Sequence, residues 1–137
     1  MRRGGRKVAG KGSHEMTRYL ISFDDGAMAA IPDEDWPDVG KAAHAVVTEA
    51  QEAGVWVFGA GLESQRASIV ATDGTVTDGP YPETKEVIGG FCVVDVPSRD
   101  VALMWAAKTA AACRCAQEVR EILPGSRTMT EGPDTSP

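Results

Sequence analysis

No stretch of this sequence stays apolar for long. The longest hydrophobic runs, such as Gly54 to Leu62, fall far short of the roughly 20 residues that a membrane-spanning helix needs. Cysteine is scarce and odd in number. Cys92, Cys113 and Cys115 suit neither a disulfide framework nor a complete zinc site, because the C-x-C pair lacks two further ligands and His14, near the start of the chain, is a poor donor. No metal and no cofactor are expected, and a reducing cytoplasm is the expected setting. Basic residues are thin in the body of the chain. Of 14 lysines and arginines, five (Arg2, Arg3, Arg6, Lys7, Lys11) lie in the first twelve residues, and the remaining nine face 20 acids, a balance of −11. Such a body has no basic face for phosphate neutralisation, which argues against nucleic-acid binding. Also missing are a G-x-x-x-x-G-K-[ST] phosphate loop, H-E-x-x-H and G-x-S-x-G. Gly59-Ala60-Gly61 is too short for a dinucleotide loop and precedes no helix.

What is present suits one globular domain: 42% hydrophobic and 25% charged residues among 137. The expected division is a loose basic arm over residues 1–15, either native or added ahead of Met16, a folded domain over 16–124, and a flexible polar tail over 125–137. The arm is charged like a signal-peptide start, but no apolar stretch follows it, so secretion is not expected.

Periodicity supplies the elements. Tyr19, Ile21 and Phe23 alternate along a strand over Thr17 to Phe23, which Asp24-Asp25-Gly26 ends. A helix is predicted from near Asp33, where acids favour a helix N-terminus and Pro37 falls in the first turn, to a stop at Gly54. Its apolar stripe is Trp36, Val39, Ala43, Val46, Val47 and Ala50. Strands then follow over Val55 to Leu62 and Ala67 to Ala71, the latter turning at Asp73-Gly74 into Thr75 to Thr77. Phe91 to Val96 reads as a strand ended by Pro97. Ser98 or Asp100 caps a second helix with Val101, Met104, Trp105 and Ala112 inside and Lys108 able to snorkel. A last strand runs over Gln117 to Leu123. All three tryptophans read as packing residues, and Cys92 as a small buried hydrophobe.

The order predicts an α+β fold: a ferredoxin-like split β-α-β sandwich with an extra β-hairpin between its halves. Two helices cover one sheet face. The other face, expected to carry Leu62, Trp56, Phe58 and Phe91, is apolar and uncovered, so a second copy packed sheet on sheet, a two-fold homodimer, is expected there.

The segment D-G-P-Y-P-E-T-K-E-V-I-G-G-F, Asp78 to Phe91, resembles the signature of the DGPF-domain family, relatives of the YciI-like (YCII-related) proteins. The strand Tyr19-Leu20-Ile21, the helix with His44, the A-G-V-W-V-x-G-x-G-L run from Ala53, A-x-x-W-A-A around Trp105 and E-V-R at Glu118 to Arg120 follow in the family's order, so the resemblance covers about residues 17–123. It implies a dimeric α/β barrel of ferredoxin-like subunits. It defines no reaction, although a His and an Asp in a cleft have suggested enzymes among YciI-like relatives, and a link to extracytoplasmic-function sigma factors is implied for DGPF proteins. Tyr81 stands where the family name has Phe, which adds a hydroxyl.

Candidate site residues come from this segment and its surroundings. Asp78, Tyr81, Glu83 and Lys85 sit among prolines just before Gly89-Gly90, either as a preorganised polar loop over a pocket or as a turn with a solvated charge pair. His44, at the margin of its helix's apolar stripe, is a candidate general acid or base with Asp78 or Glu63 to orient it, or else a half-exposed helix residue. Arg120, expected on a central strand, reaches either an anionic ligand or a carboxylate. The leading expectation is a dimeric small-molecule-binding protein capable of cofactor-free acid–base catalysis. A regulatory module linked to a sigma factor and a cofactor-independent monooxygenase, the latter by fold analogy alone, are the alternatives.

Overall fold

Strand β1 (Thr17–Asp24) buries Tyr19 and Ile21, two residues apart on one face, with Phe23 continuing the same row. In the computed structural model, which describes residues 16–63, 67–79 and 87–124, β1 lies inside a four-stranded antiparallel sheet. Its neighbours are β5 (Ile88–Val96), paired from Thr17↔Val96 to Asp24↔Ile88, and β6 (Glu118–Glu121), paired from Tyr19↔Glu121 to Ser22↔Glu118. On the far side of β5 lies β2 (Trp56–Gly61), so the order is β2-β5-β1-β6. With one helix after β1 and another after β5, this α+β arrangement is consistent with a ferredoxin-like split β-α-β fold.

Each helix has a local reason to begin and end where it does. A 3-10 turn at Asp33–Asp35 leads into α1 (Trp36–Glu52), with Pro37 in its first turn, and Gly54 at φ 77° stops it. Helix α2 (Arg99–Cys113) is capped by Ser98, whose Oγ accepts from the Val101 N–H at 3.3 Å. It ends on Arg114 in a left-handed conformation (φ 60°). The Arg114 guanidinium meets Asp35 at 2.8 Å, and Lys108 meets Glu49 at 3.1 Å while lying 5.9 Å from the Trp105 ring centroid. These exposed pairs orient the helices against each other more than they stabilise them. The core, including Tyr19, Ile21, Val94, Val96, Ala102 and Trp105, fills the space between helices and sheet. Strands β3 (Ser68–Val70) and β4 (Val76–Asp78) form a separate two-stranded sheet of exposed residues. The turn between them holds Gly74 at φ 91°, and Asp73 Oδ1 accepts from the Thr75 N–H at 2.9 Å, which keeps the Asp73 carboxyl below its ordinary pKa. Among the described residues, no helix is long and apolar enough to cross a membrane.

Four expectations are corrected. Trp56 does not face away from the helices. A bulge between Trp56 and Phe58 breaks the alternation, so Trp56 packs against the helix-side core while Phe58 points to the opposite face. Trp36 is 40% exposed, because the first side chains of a helix lean past its N-terminus and not over the sheet. Met104 is exposed as well. The inner stripe of α2 is Ala102, Trp105, Ala106, Ala112 and Cys113, one step around the helix from it. Arg120 lies on the edge strand β6 and is exposed, so burial imposes no charge partner on it.

Candidate functional site

Two layers packed on each other leave a void where the residues on both sides are small. Here the sheet offers Gly59, and α2 answers with Thr109, Ala112 and Cys113. Ala43 and Val47 of α1 close the third side. The result is a cavity of about 410 Å³ between the helices and the sheet, partly open to solvent. Two aromatic side chains crowd the sheet backbone at its floor, each against a glycine. A Cβ on Gly59 would come within 2.7 Å of the Trp56 ring, and one on Gly90 within 2.5 Å of the Phe23 ring. Gly89 makes room for the Asp25 backbone in the same way, its virtual Cβ falling 2.8 Å from the Asp25 Cα. The glycine pair of the signature segment therefore admits the protein's own chain and an aromatic ring.

The described lining is almost wholly apolar. Its polar groups are those of Thr109 and Gln117, the thiols of Cys92 and Cys113, and the Trp56 indole N–H. Thr109 Oγ1 donates to the Trp105 carbonyl at 2.9 Å, and Gln117 Nε2 donates to the Cys115 carbonyl at 3.3 Å. Burial, with the neighbouring Cys113 sulfur, pushes the Cys92 thiol up to about 11, and burial with Cys115 raises Cys113. Cys115 is raised by burial, in part offset by its contact with Gln117. These sulfurs are protonated at neutral pH and behave as small apolar groups with weak hydrogen-bonding capacity.

The residues singled out from sequence lie elsewhere. His44 is exposed on α1, one position from the cavity-lining Ala43. Asp78 is exposed at the end of β4, where the Ser68 hydroxyl donates to its carboxylate. No hydrogen bond joins His44 to Asp78 among the described residues. Glu63 follows β2 at an exposed position, and Arg120 is exposed on β6. Tyr81, Glu83 and Lys85 lie outside the described residues, as do the arm and the tail. The cavity-lining Gly59, Thr109, Ala112 and Gln117 carried no obvious chemical signal. The available clue was volume: the run Thr109 to Cys113 is made of small residues that cannot fill the gap beneath a helix.

No curated protein matches the sequence. The YCII-related domain matches residues 18–126, most of the chain, spanning both helices and every strand but for Thr17 at the start of β1. On that match this chain belongs to the YCII-related family.

Proposed function

We propose that this YCII-related protein binds a small hydrophobic molecule in the cavity between its helices and its sheet, and that it does so as a homodimer. The carrying observation is the cavity itself, about 410 Å³ of space lined mainly by apolar side chains. That volume falls in the range of ligand pockets. A cavity of ~150 Å³ accepts benzene, so two fused rings with a substituent fit. The dimer reading is supported by the uncovered sheet face, where Phe58 is 57% exposed and stacks at a tilt on Phe91, with ring centroids 5.7 Å apart. On the same face Arg18 stands opposite Asp95.

Calorimetric titration with 2-methoxynaphthalene, a neutral two-ring probe, tests the binding reading. Wild type should bind, and Ala43→Phe or Val47→Trp, which fill the cavity from α1, should not, while their circular dichroism stays native. Equal binding by the filled variants, or none by wild type, refutes it. Light scattering tests the dimer: wild type should have the mass of two chains and Phe58→Glu that of one. Acid–base turnover at His44, with Asp78 or Glu63, is a separate proposal resting on residue type. It requires a ligand-dependent activity that His44→Ala removes without lowering stability.

A further inference from the structure

Resting on the homodimer reading, we infer that the β3–β4 ribbon is a clasp that each chain closes on its second copy, with the Val70–Val76 face as the contact. Among the described residues, β3 and β4 pair only with each other and make no substantial contact with any other strand or helix. A lone two-stranded ribbon is at best marginally stable in water, because neither of its faces is buried. The register of this one is nonetheless fixed. Ala71 N–H donates to the Thr75 carbonyl at 2.8 Å, Gly79 N–H to the Ala67 carbonyl at 2.9 Å, and the Ser68 hydroxyl to Asp78. That register sets Val70 directly opposite Val76 on one face, where they are 64% and 57% exposed, and Ile69, 41% exposed, on the other. Three apolar side chains in so small an element are costly to leave in water.

Area points to a second copy as the occupant. Main-sheet strands of eight, six, nine and four residues, at about 3.4 Å by 4.8 Å per residue, offer a face of roughly 440 Å², or about 880 Å² for two copies. A specific interface buries about 1,200–2,000 Å². One face of the ribbon is on the order of 100 Å². In a two-fold pair each ribbon hides its own face and the patch it covers, which brings the total to roughly 1,300 Å², inside that range. The ribbon is also placed to reach. It joins the main sheet between β2 and β5, the strands that carry the stacked Phe58 and Phe91, and Leu62 and Ile88 near its two ends are themselves 48% and 43% exposed.

Val70→Arg with Val76→Glu removes the apolar pair and puts an opposite-charge cross-strand pair in its place, which keeps the ribbon itself together. In sedimentation equilibrium the double variant should dimerise about a hundredfold more weakly than wild type, the loss of two buried valines from each of two clasps, with native circular dichroism. A second readout needs no substitution. In wild type, hydrogen exchange at the Ala71 and Gly79 amides should slow about tenfold or more as protein concentration rises through the dimer range. A double variant that dimerises as tightly as wild type, or exchange at those amides that is independent of concentration, overturns the clasp while the dimer stands. Exchange that is slow at every concentration would give the ribbon to its own chain, and exchange that is fast at every concentration to a different partner or to none. A wild type that stays monomeric overturns both the clasp and the dimer.

Discussion

Gly59 and Gly61 occupy the same strand, yet opposite consequences follow from adding one methyl group to each. At Gly59 the new Cβ would stand 2.7 Å from the Trp56 ring, 2.8 Å from the Cys92 Cβ and 2.9 Å from the Phe91 carbonyl oxygen. The ring can tilt, but the backbone oxygen across the ladder cannot move without loosening β5. Replacing glycine in a strand normally gains about 0.5–1 kcal/mol from reduced unfolded-state entropy. Overpacking costs about 1–3 kcal/mol, and contacts from three directions place Gly59→Ala at the upper part of that range, so the clash wins. The net loss is about 1–2 kcal/mol, a fall in Tm of roughly 5–15 °C for a domain of this size. At Gly61 nothing lies within 4 Å of the added Cβ, so Gly61→Ala should leave Tm unchanged or raise it. Thermal unfolding followed by circular dichroism decides between these outcomes. A Gly59→Ala protein as stable as wild type would refute the placement of the Trp56 ring over the sheet, and with it the floor of the cavity.

Other perturbations follow from the same structure. The Cys92 thiol is raised from 9.0 to about 11, chiefly by burial, so the folded state favours the protonated form. Its contribution to stability is intact below about pH 9 and is lost as pH rises toward about 11, a change on the order of 3 kcal/mol. Urea unfolding across that window should show a steeper loss for wild type than for Cys92→Ala; matching slopes would contradict the burial argument. Gly40 sits inside α1 with open space around its virtual Cβ, so Gly40→Ala should stabilise the protein by about 1 kcal/mol through helix propensity, read as a higher urea midpoint. His44 is exposed and is not among the described cavity-lining residues. His44→Ala should therefore leave the affinity for 2-methoxynaphthalene within about twofold of wild type, a change of less than 0.5 kcal/mol.

Much of the fold was legible because its signals are local. The alternation of Tyr19, Ile21 and Phe23, the glycine stop after α1 and the serine cap of α2 each act over a few residues, and each is where the structure has it. Faces and neighbours were harder. One bulged residue, Val57, turned Trp56 to the helix side and placed it with Gly59, three positions on, under the same layer. Arg120 reads as a strand residue from its own segment, but its place at the sheet edge depends on the order of all four strands. The cavity was the least legible feature, since it is made of missing volume. Gly59, Ala112 and Cys113 acquire a joint meaning only once the fold sets them against one another.

The central claim is that a ligand enters between the layers. Backbone amide shifts in a heteronuclear NMR titration with 2-methoxynaphthalene test it most directly. Saturable shifts centred on Gly59, Thr109, Ala112 and Cys113 are expected, with the uncovered face at Leu20 and Val93 unmoved. Shifts centred on Leu20, Val93 and Phe58, or no saturable shifts at all, would contradict it.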